Sequence, residues 1–498
     1  MSAGKLTWHN HSRDQRCHPR RIVHPATTEE LVGLVRDAEE TTTTVRAVGA
    51  GHAWSDVALT TGVVVETDAM SGLVELDDGT LRATAHDDGT RVRVRAGTRV
   101  RQLNAELESR GLALRNMGGY DGQSIAGVVS TSTHGSGIEF GPFPDSVRSL
   151  DLVVAGGKVV RVEPEDGPTD PSAFAARHGG TRTLEQDDEV FAAAVCGMGC
   201  MGIVDSLVLE VRPKFWLRER RAVRSWEQVR GDLAGGVLGR HDRYELFLNP
   251  YPRKDGGHDV LVTTRDEVPH PASVSPGDGE RHPLIEMQAS MPLVWMGLRL
   301  AARWAPSLLR TQFGRTLRRM EDDNYTQVSY RVLNIGASNK LPAISMELGV
   351  PVEGDVHLLT VDRILEVAAE CAKDRRLFHT SPIALRFVAP SAAYASMMHG
   401  QATMMIELIL VSDTRDGHAL LAEYERRLAE FGARPHWGQY NTLGSDHGQL
   451  DALYPRWSAW LRVCDRFDST GVFDSEFTDR IGISRRRTSP TGRFLRST

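Results

Sequence analysis

The stretch NMGGYDGQSIAGVVSTSTHGSG, residues 116–137, decides how the rest of the chain is read. It holds six glycines and six serines or threonines. Such a segment lets backbone come close to a ligand and offers many hydroxyl and amide donors. A plain flexible loop does not account for it, because Ile125, Val128 and Val129 need burial. A second donor-rich turn lies upstream in RAVGAGHAWSD, residues 46–56. There a short strand, 45–48, runs straight into Gly49-Ala50-Gly51-His52. Gly49 and Gly51 tolerate positive φ, so consecutive N–H groups can face one concavity, the kind of nest that holds phosphate. No lysine follows, so this is not a Walker loop, and the spacing is not the G-x-G-x-x-G dinucleotide fingerprint. Two such segments close together point to a large, phosphate-bearing cofactor.

Outward from these segments, short strands and helices alternate. Thr27 or Thr28 can cap a helix with Glu29 and Glu30 in its first turn. Leu31, Leu34, Val35 and Ala38 recur at helical spacing. Strands are expected at 62–66, 81–85 and 91–96, then a helix at 100–110. A hairpin is expected at 150–155 and 158–162 around Gly156-Gly157. An apolar helix at 191–195 precedes Gly197, Gly199 and Gly202, which introduce a strand at 203–211. Residues 1–212 therefore read as one α+β domain. Beyond Pro213 the character changes. Residues 266–283 are rich in proline, glycine and charge and read as a loop. Residues 284–320 are apolar and then basic, and read as a solvated amphipathic helix with a membrane-surface contact as the alternative. Strand-like runs return at 327–333, 344–350, 383–388 and 403–410, with helices at 360–373 and 416–430. They make a second domain, 213–450. A tail, 451–498, carries Trp457 and Trp460, which read as core.

The 498 residues are 40% hydrophobic and 25% charged, which excludes a disordered chain, a collagen and a coiled coil. The net charge of −6 gives no sign of a nucleic-acid or anionic-membrane partner. Five cysteines, Cys17, Cys196, Cys200, Cys371 and Cys464, are odd in number and sparse, and read as reduced, buried thiols. No metal site is expected. Residues 1–21 lack an apolar core, so no signal peptide is expected. The longest apolar runs, 292–300 and 404–411, are too short to span a bilayer. The expected location is cytoplasmic.

Four blocks carry a family likeness: VRAVGAGHAWSD (45–56), SIAGVVSTSTHGSG (124–137), SYRVLN (329–334) followed by MELGVP (346–351), and RPHWGQYN (434–441) followed by LYPRWSAWLRVCDRFDSTGVF (453–473). The chain resembles the FAD-linked oxidase superfamily typified by vanillyl-alcohol oxidase. Within it the likeness is to the aldonolactone and alditol oxidase branch, with its gulonolactone, galactonolactone and arabinonolactone oxidases. The blocks extend over nearly the whole chain, although 214–325 matches only in outline. The resemblance implies an FAD-binding domain from the N-terminal half, joined by the tail. It also implies a cap domain with an antiparallel sheet flanked by helices. Gly49, Ala50, Gly51 and Ala53 look like the pyrophosphate loop, with Ser55 close behind. His52 matches the residue commonly bonded to the flavin 8α-methyl. No cysteine lies between 18 and 195, so at most one covalent link is implied. Gly119, Ser124, Gly127, Thr131 and His134 match positions lining the FAD, and Ile203 matches an adenine-side backbone contact. Gly118 matches the position that gates dioxygen, and glycine there implies an open path and an oxidase.

The chain also departs from the branch. An E-x-R pair on a cap strand becomes Ala384 and Arg386, and an H-W-G-K motif becomes His436-Trp437-Gly438-Gln439. Polar groups left unmatched cost about 1–3 kcal/mol each, so a substrate needing the lost partners should bind poorly. Ala384, Met404 and Met405 therefore point to a substrate less polar than a sugar lactone. Glu407 is the acid of an otherwise apolar strand; it must be paired, with Arg386 for example, or face a cavity. Glu347 is similar, with a structural or flavin-side role. Arg386 can stabilise negative charge on reduced flavin or substrate. His436 can hydrogen-bond either, or be a satisfied core histidine. Arg386, Glu407, Glu347, His436 and Gln439 are thus the catalytic candidates. The implied activity is oxidation of a CH–OH group in a small alcohol, polyol or lactone-like molecule. Hydride would pass to flavin N5 and dioxygen would become hydrogen peroxide. The alternatives are a dehydrogenase with another acceptor and a flavin-binding protein without turnover. No motif encodes the substrate's identity or the oligomeric state.

Overall fold

The computed structural model describes residues 6–76, 79–82, 89–275, 292–335 and 342–485. It is an α+β molecule built on two large sheets. Near the N-terminus, β1 (Arg21–Val23), β2 (Val45–Val48) and β3 (Val63–Glu66) form a parallel sheet in the order β1-β3-β2. The crossover is α1 (Thr28–Glu40), whose N-terminus is capped by Thr27 accepting from the Glu30 N–H at 3.2 Å. Its buried face, Leu31, Val35 and Ala38, shares one core with Val153, Val159 and Ile203 of the next sheet. That sheet holds β4 (Leu73–Val74), β5 (Arg91–Arg95), β6 (Val147–Val154), β7 (Lys158–Glu163), β8 (Arg182–Gln186) and β9 (Ile203–Glu210). Its order is β8-β7-β6-β9-β5-β4. The other face is covered by α2 (Val100–Ser109) and α3 (Ile125–Ser130), in a core that includes Val94, Leu103, Ile125, Leu150 and Leu207. The burial that Ile125, Val128 and Val129 require is met here. Of the run expected as a strand at 81–85, Leu81 makes an isolated bridge to Thr169 and 83–85 fall outside the described residues.

The second large sheet is antiparallel and eight-stranded. Its strands are β10 (Trp216–Ser225), β11 (Arg243–Leu248), β12 (Asp259–Val268), β13 (Asp322–Val328), β14 (Ala343–Pro351), β15 (Ile383–Val388), β16 (Thr403–Val411) and β17 (Arg434–Pro435). The order is β13-β10-β12-β11-β15-β16-β14-β17. Three of these, β10 to β12, correct the sequence reading, which placed no strand between 213 and 320. Their charged residues resemble a solvated surface but are buried and ion-paired, Arg265 across strands to Glu219 and Glu245 and Arg221 along its own strand to Glu219: Glu219, Arg221, Glu245 and Arg265 are each at most 7% exposed. The supposed loop at 266–283 begins inside β12, and residues 276–283 lie outside the described residues. A strand was expected at 327–333, but β13 ends at Val328 and a helical turn follows at Ser329–Leu333. Apolar periodicity does not separate a buried strand from a buried turn over so short a run.

Parity positions the site. Tyr244, Leu246, Leu248, Ile344, Met346, Leu348, Ile383, Leu385, Phe387, Met404, Ile406, Leu408 and Leu410 pack in one core. Helices α4 (Trp226–Ala234), α6 (Val356–Glu370) and α7 (Gly417–Leu428) cover that face; between them in the chain comes α5 (Pro292–Trp304). The alternate residues Glu245, Phe247, Glu347, Ala384, Arg386, Glu407, Ile409 and Val411 lie on the opposite face. Of these, all but Glu245 line a cavity. The tail forms α8 (Trp457–Phe467), with Trp457, Trp460, Val463, Cys464 and Phe467 at helical spacing and buried. It packs into the core of the six-stranded sheet, and Trp460 Nε1 donates to the Cys196 carbonyl at 3.1 Å. All five cysteines are buried and unbridged. No helix among the described residues is long and apolar enough to cross a membrane.

Candidate active site

A cavity of about 570 Å³ lies between the N-terminal glycine segments and the eight-stranded sheet. One wall is the turn after β2. Gly51 sits at φ +67, and a β-carbon on Gly49 would come within 1.8 Å of Ser124 Oγ, so both positions require glycine. Arg46 in β2 ties this wall together. Fully buried, it donates to the Val57 and Met198 carbonyls at 2.6 Å each, to Gly199 at 3.0 Å and to Phe473 at 3.4 Å. The turn, the Met198–Gly199 corner and the tail are thereby fixed in one arrangement. The imidazole of His52 contacts the rings of His11 and Tyr120 at a tilt, with ring centroids 4.2 and 4.7 Å away. Burial first, then the neighbouring His11, Arg99 and Arg101, lower its pKa to about 3. The ring is therefore neutral at physiological pH, as a nucleophilic imidazole must be.

The opposite end is charged. Arg386 donates to Glu245 at 2.9 Å and to Glu407 at 2.7 Å, and lies 3.8 Å from Glu347. Glu245 is shared with Arg265 at 2.7 Å, which reaches Glu219 at 2.8 Å, which in turn holds Arg221 at 3.0 Å. A row of alternating charge thus crosses the sheet and ends at the cavity. Glu347 meets His134 at 3.1 Å and accepts from Gln439 at 3.2 Å. The two cavity carboxylates are pushed apart. Burial alone would raise Glu347, but His134, His436 and Arg386 overcome it and hold the carboxyl near 2. Burial raises Glu407, and the charge of Glu347 adds to burial, so that Arg386 does not bring the carboxyl back down. Neighbouring carboxyls with opposite shifts are the arrangement from which acid and base roles are assigned. Burial lowers His436 to about 4. Its Nδ1 accepts from the Gly438 N–H at 3.0 Å, which leaves Nε2 to carry the hydrogen.

The sequence candidates converge here. Gly49, Ala50, Gly51, His52, Ala53, Gly118, Gly119, Ser124, Gly127, Thr131 and His134 line the cavity, and so do Glu347, Arg386, Glu407, His436 and Gln439. Ser55 and Ile203 do not. Ser55 Oγ donates to the Trp437 carbonyl at 2.6 Å and caps a 3-10 turn, while Ile203 packs in the α1 core and leaves Gly202 and Val204 at the wall. Met404 and Met405 also lie off the cavity, in two separate cores. The apolar lining beside Glu407 is supplied instead by Ile409 and Val411, two and four residues beyond it on the same face. Sequence reasoning missed Tyr120 and the outer wall, where Phe247, Leu298, Leu309 and Phe313 stand beside Gln312, Thr316 and Arg319. Tyr120 sits inside the glycine segment and was within reach; the outer residues carry no local signal.

The cleft fits FAD by its donors. Glycine backbone, the side chains of Ser124 and Thr131, and the neutral His52 all line it. At the charged end, the buried Gln439 Oε1 has no hydrogen-bond partner among the described residues, and so awaits a donor. A family described as FAD binding domain matches residues 19–163, and D-arabinono-1,4-lactone oxidase matches residues 207–481, more than half of the chain. The chain belongs to the D-arabinono-1,4-lactone oxidase family. It is an FAD-dependent oxidoreductase. This family member is 28% identical to an L-gulono-1,4-lactone dehydrogenase of Mycobacterium tuberculosis over 479 residues, 95% of this chain and 98% of the relative. It is 26% identical to an alditol oxidase of a Streptomyces species, over 92% and 94% of the two chains. Among solved structures, a solvent-stable cholesterol oxidase superposes with a TM-score of 0.75 at 15% identity, over 96% and 97%. That likeness establishes the shared fold. Among the described residues one further group could hold a metal, His24, Glu66 and Asp68, at the surface.

Proposed function

We propose that the chain oxidises the CH–OH group of an alcohol with an apolar body, with dioxygen as the acceptor. The observation that carries this reading is Glu407, a carboxylate 13% exposed with a raised pKa, 2.7 Å from Arg386 and followed on its strand by an apolar wall. Glu407 faces Ala384 directly across the strand pair. The carboxylate absent at 384 is therefore supplied from the neighbouring strand, to the same arginine. In this role Glu407 takes the hydroxyl proton, while Arg386 steadies the oxygen as it gains negative charge. Glu347, held low, keeps its charge and orients His134 and Gln439. When bound, FAD supplies the hydride acceptor and passes the electrons to dioxygen, releasing hydrogen peroxide. The residues that would hold it are Gly49–Ala53, Gly118, Gly119, Ser124, Gly127, Thr131 and His134, closed from behind by the tail 451–485.

The test is anaerobic mixing of the flavin-loaded protein with a panel of alcohols, followed by air. Bleaching by apolar alcohols and rapid return of colour support the reading. Bleaching by sugar lactones alone would overturn the substrate assignment. The mycobacterial relative named a dehydrogenase supports a second reading, in which the same oxidation feeds another acceptor. Slow return of colour in air would favour it. Gly118 bears on the difference: a β-carbon there would sit 3.2 Å from the His134 carbonyl oxygen and 3.5 Å from Thr133 Cγ2, a tight but bearable fit. Gly118→Ala is expected to slow reoxidation in air several-fold and to leave anaerobic bleaching unchanged. Attachment is tested separately. If His52 bonds the flavin, colour stays in the acid-precipitated wild-type pellet and passes to the supernatant in His52→Ala. Colour in the wild-type supernatant would exclude the bond.

A further inference from the structure

Half of the large apolar side chains exposed in the described chain sit on one short stretch. Met296, Leu300 and Trp304 recur every fourth residue along α5 and are 55%, 52% and 69% exposed; Leu308 follows at 64% in the 3-10 turn Pro306–Gln312. The other side of the same stretch is not solvated either. Leu298 and Leu309, with Phe313 of the next helix, line the cavity. The stretch is thus a thin wall, apolar on its outside and carrying Leu298 and Leu309 beside the polar Gln312 on its inside. Its charge is one-sided. Residues 292–320 contain Arg299, Arg303, Arg310, Arg315, Arg318 and Arg319 and no acid, in a chain of net charge −6. Arg299 is paired with Asp413 and Arg318 with Asp259. The other four have no carboxylate partner among the described residues; Arg319 lines the cavity, and Arg303, Arg310 and Arg315 are exposed and lie off it.

We propose that this outer face of α5 and its following turn seats on an anionic lipid surface, and that the alcohol enters the cavity from there; the second clause rests on the function proposed above. An amphipathic helix binds such a surface when its apolar stripe enters the acyl boundary and its arginines lie among the headgroups. A tryptophan with one edge apolar and one edge wet belongs at that depth. A second copy of the chain is a poorer occupant. A two-fold interface would lay this acid-free arginine cluster against itself. The net charge, read alone, argued against an anionic membrane partner; the cluster is local and opposite in sign.

The flavin-loaded protein is sedimented with vesicles of phosphatidylcholine alone and of phosphatidylcholine mixed with phosphatidylglycerol. Binding is expected to the mixed vesicles only. In Leu300→Ser/Trp304→Ser/Leu308→Ser, whose side chains lie off the cavity, partitioning should fall at least about tenfold. Each of Arg303→Gln and Arg310→Gln should weaken it about fivefold. The triple variant should still bleach with a water-soluble alcohol at the wild-type rate, which shows that it is folded. No binding of wild type, or equal binding of the triple variant, overturns the proposal. So does a wild-type dimer that the triple substitution splits, since a second copy is then the occupant. If no alcohol bleaches either protein, the entry clause falls with the function it rests on, and sedimentation alone decides the surface.

Discussion

Replacing Glu407 by glutamine slows anaerobic bleaching by substrate by about 10²–10⁴-fold, the usual worth of a positioned general base. The substitution keeps shape and hydrogen-bonding capacity and removes the proton acceptor. The pH dependence has a definite sign. A base works when deprotonated, so the wild-type rate rises with pH through the Glu407 pKa. Burial and Glu347 place that pKa above the ordinary carboxylate value, so the limb lies above it too. In Glu407→Gln the limb disappears. Stopped-flow bleaching at a series of pH values measures both effects. A variant with wild-type rate, or one that keeps the limb, would remove Glu407 from the chemistry and leave it as a partner of Arg386.

Arg386→Met is expected to cost about 3–5 kcal/mol of stability, the penalty for stripping one partner from a buried ion pair. Arg386 is the hub of the row of charge on the sheet. Glu245 keeps Arg265 at 2.7 Å when Arg386 is lost, but Glu407 loses the arginine that holds it and must take up a proton. The double variant Arg386→Met/Glu407→Gln should recover part of the loss, because removing both partners leaves no charge stranded. Urea unfolding of the four proteins closes the cycle. Additive losses would show that the pair does not interact energetically. Bleaching should be lost in both variants that lack Arg386, whatever their stability.

Several elements were legible because their signals are local. The cap at Thr27, the helical spacing of Leu31, Val35 and Ala38, and the run of Val45–Val48 into glycine survive unchanged in the structure. The two glycine segments meet, as their donors require. By contrast, β10 to β12 were hidden because Glu219, Arg221, Glu245 and Arg265 look like surface until their ion-pair partners are known. Glu407 shows the division most clearly. Its sequence position declared a buried acid in need of a partner, and named Arg386 among the choices. Only strand register set Glu407 opposite Ala384 and within reach of Arg386, the placement on which the proposed role of Glu407 rests.

A cleft walled by two glycine segments, with His52 among the residues lining it, was written in the chain itself, since close backbone approach demands glycine at particular positions. Which strand residues face the cavity was not. Met404 and Glu407 differ by an odd number of positions, so the pleat sends them to opposite faces, and only the packing of α4, α6 and α7 against one of those faces decides which is the core. The outer wall from α5 to Phe313 comes from a part of the chain distant from the cofactor segments. Its place in the site depends on how the two sheets meet, and that is set by side chains far apart in sequence that become neighbours only on folding.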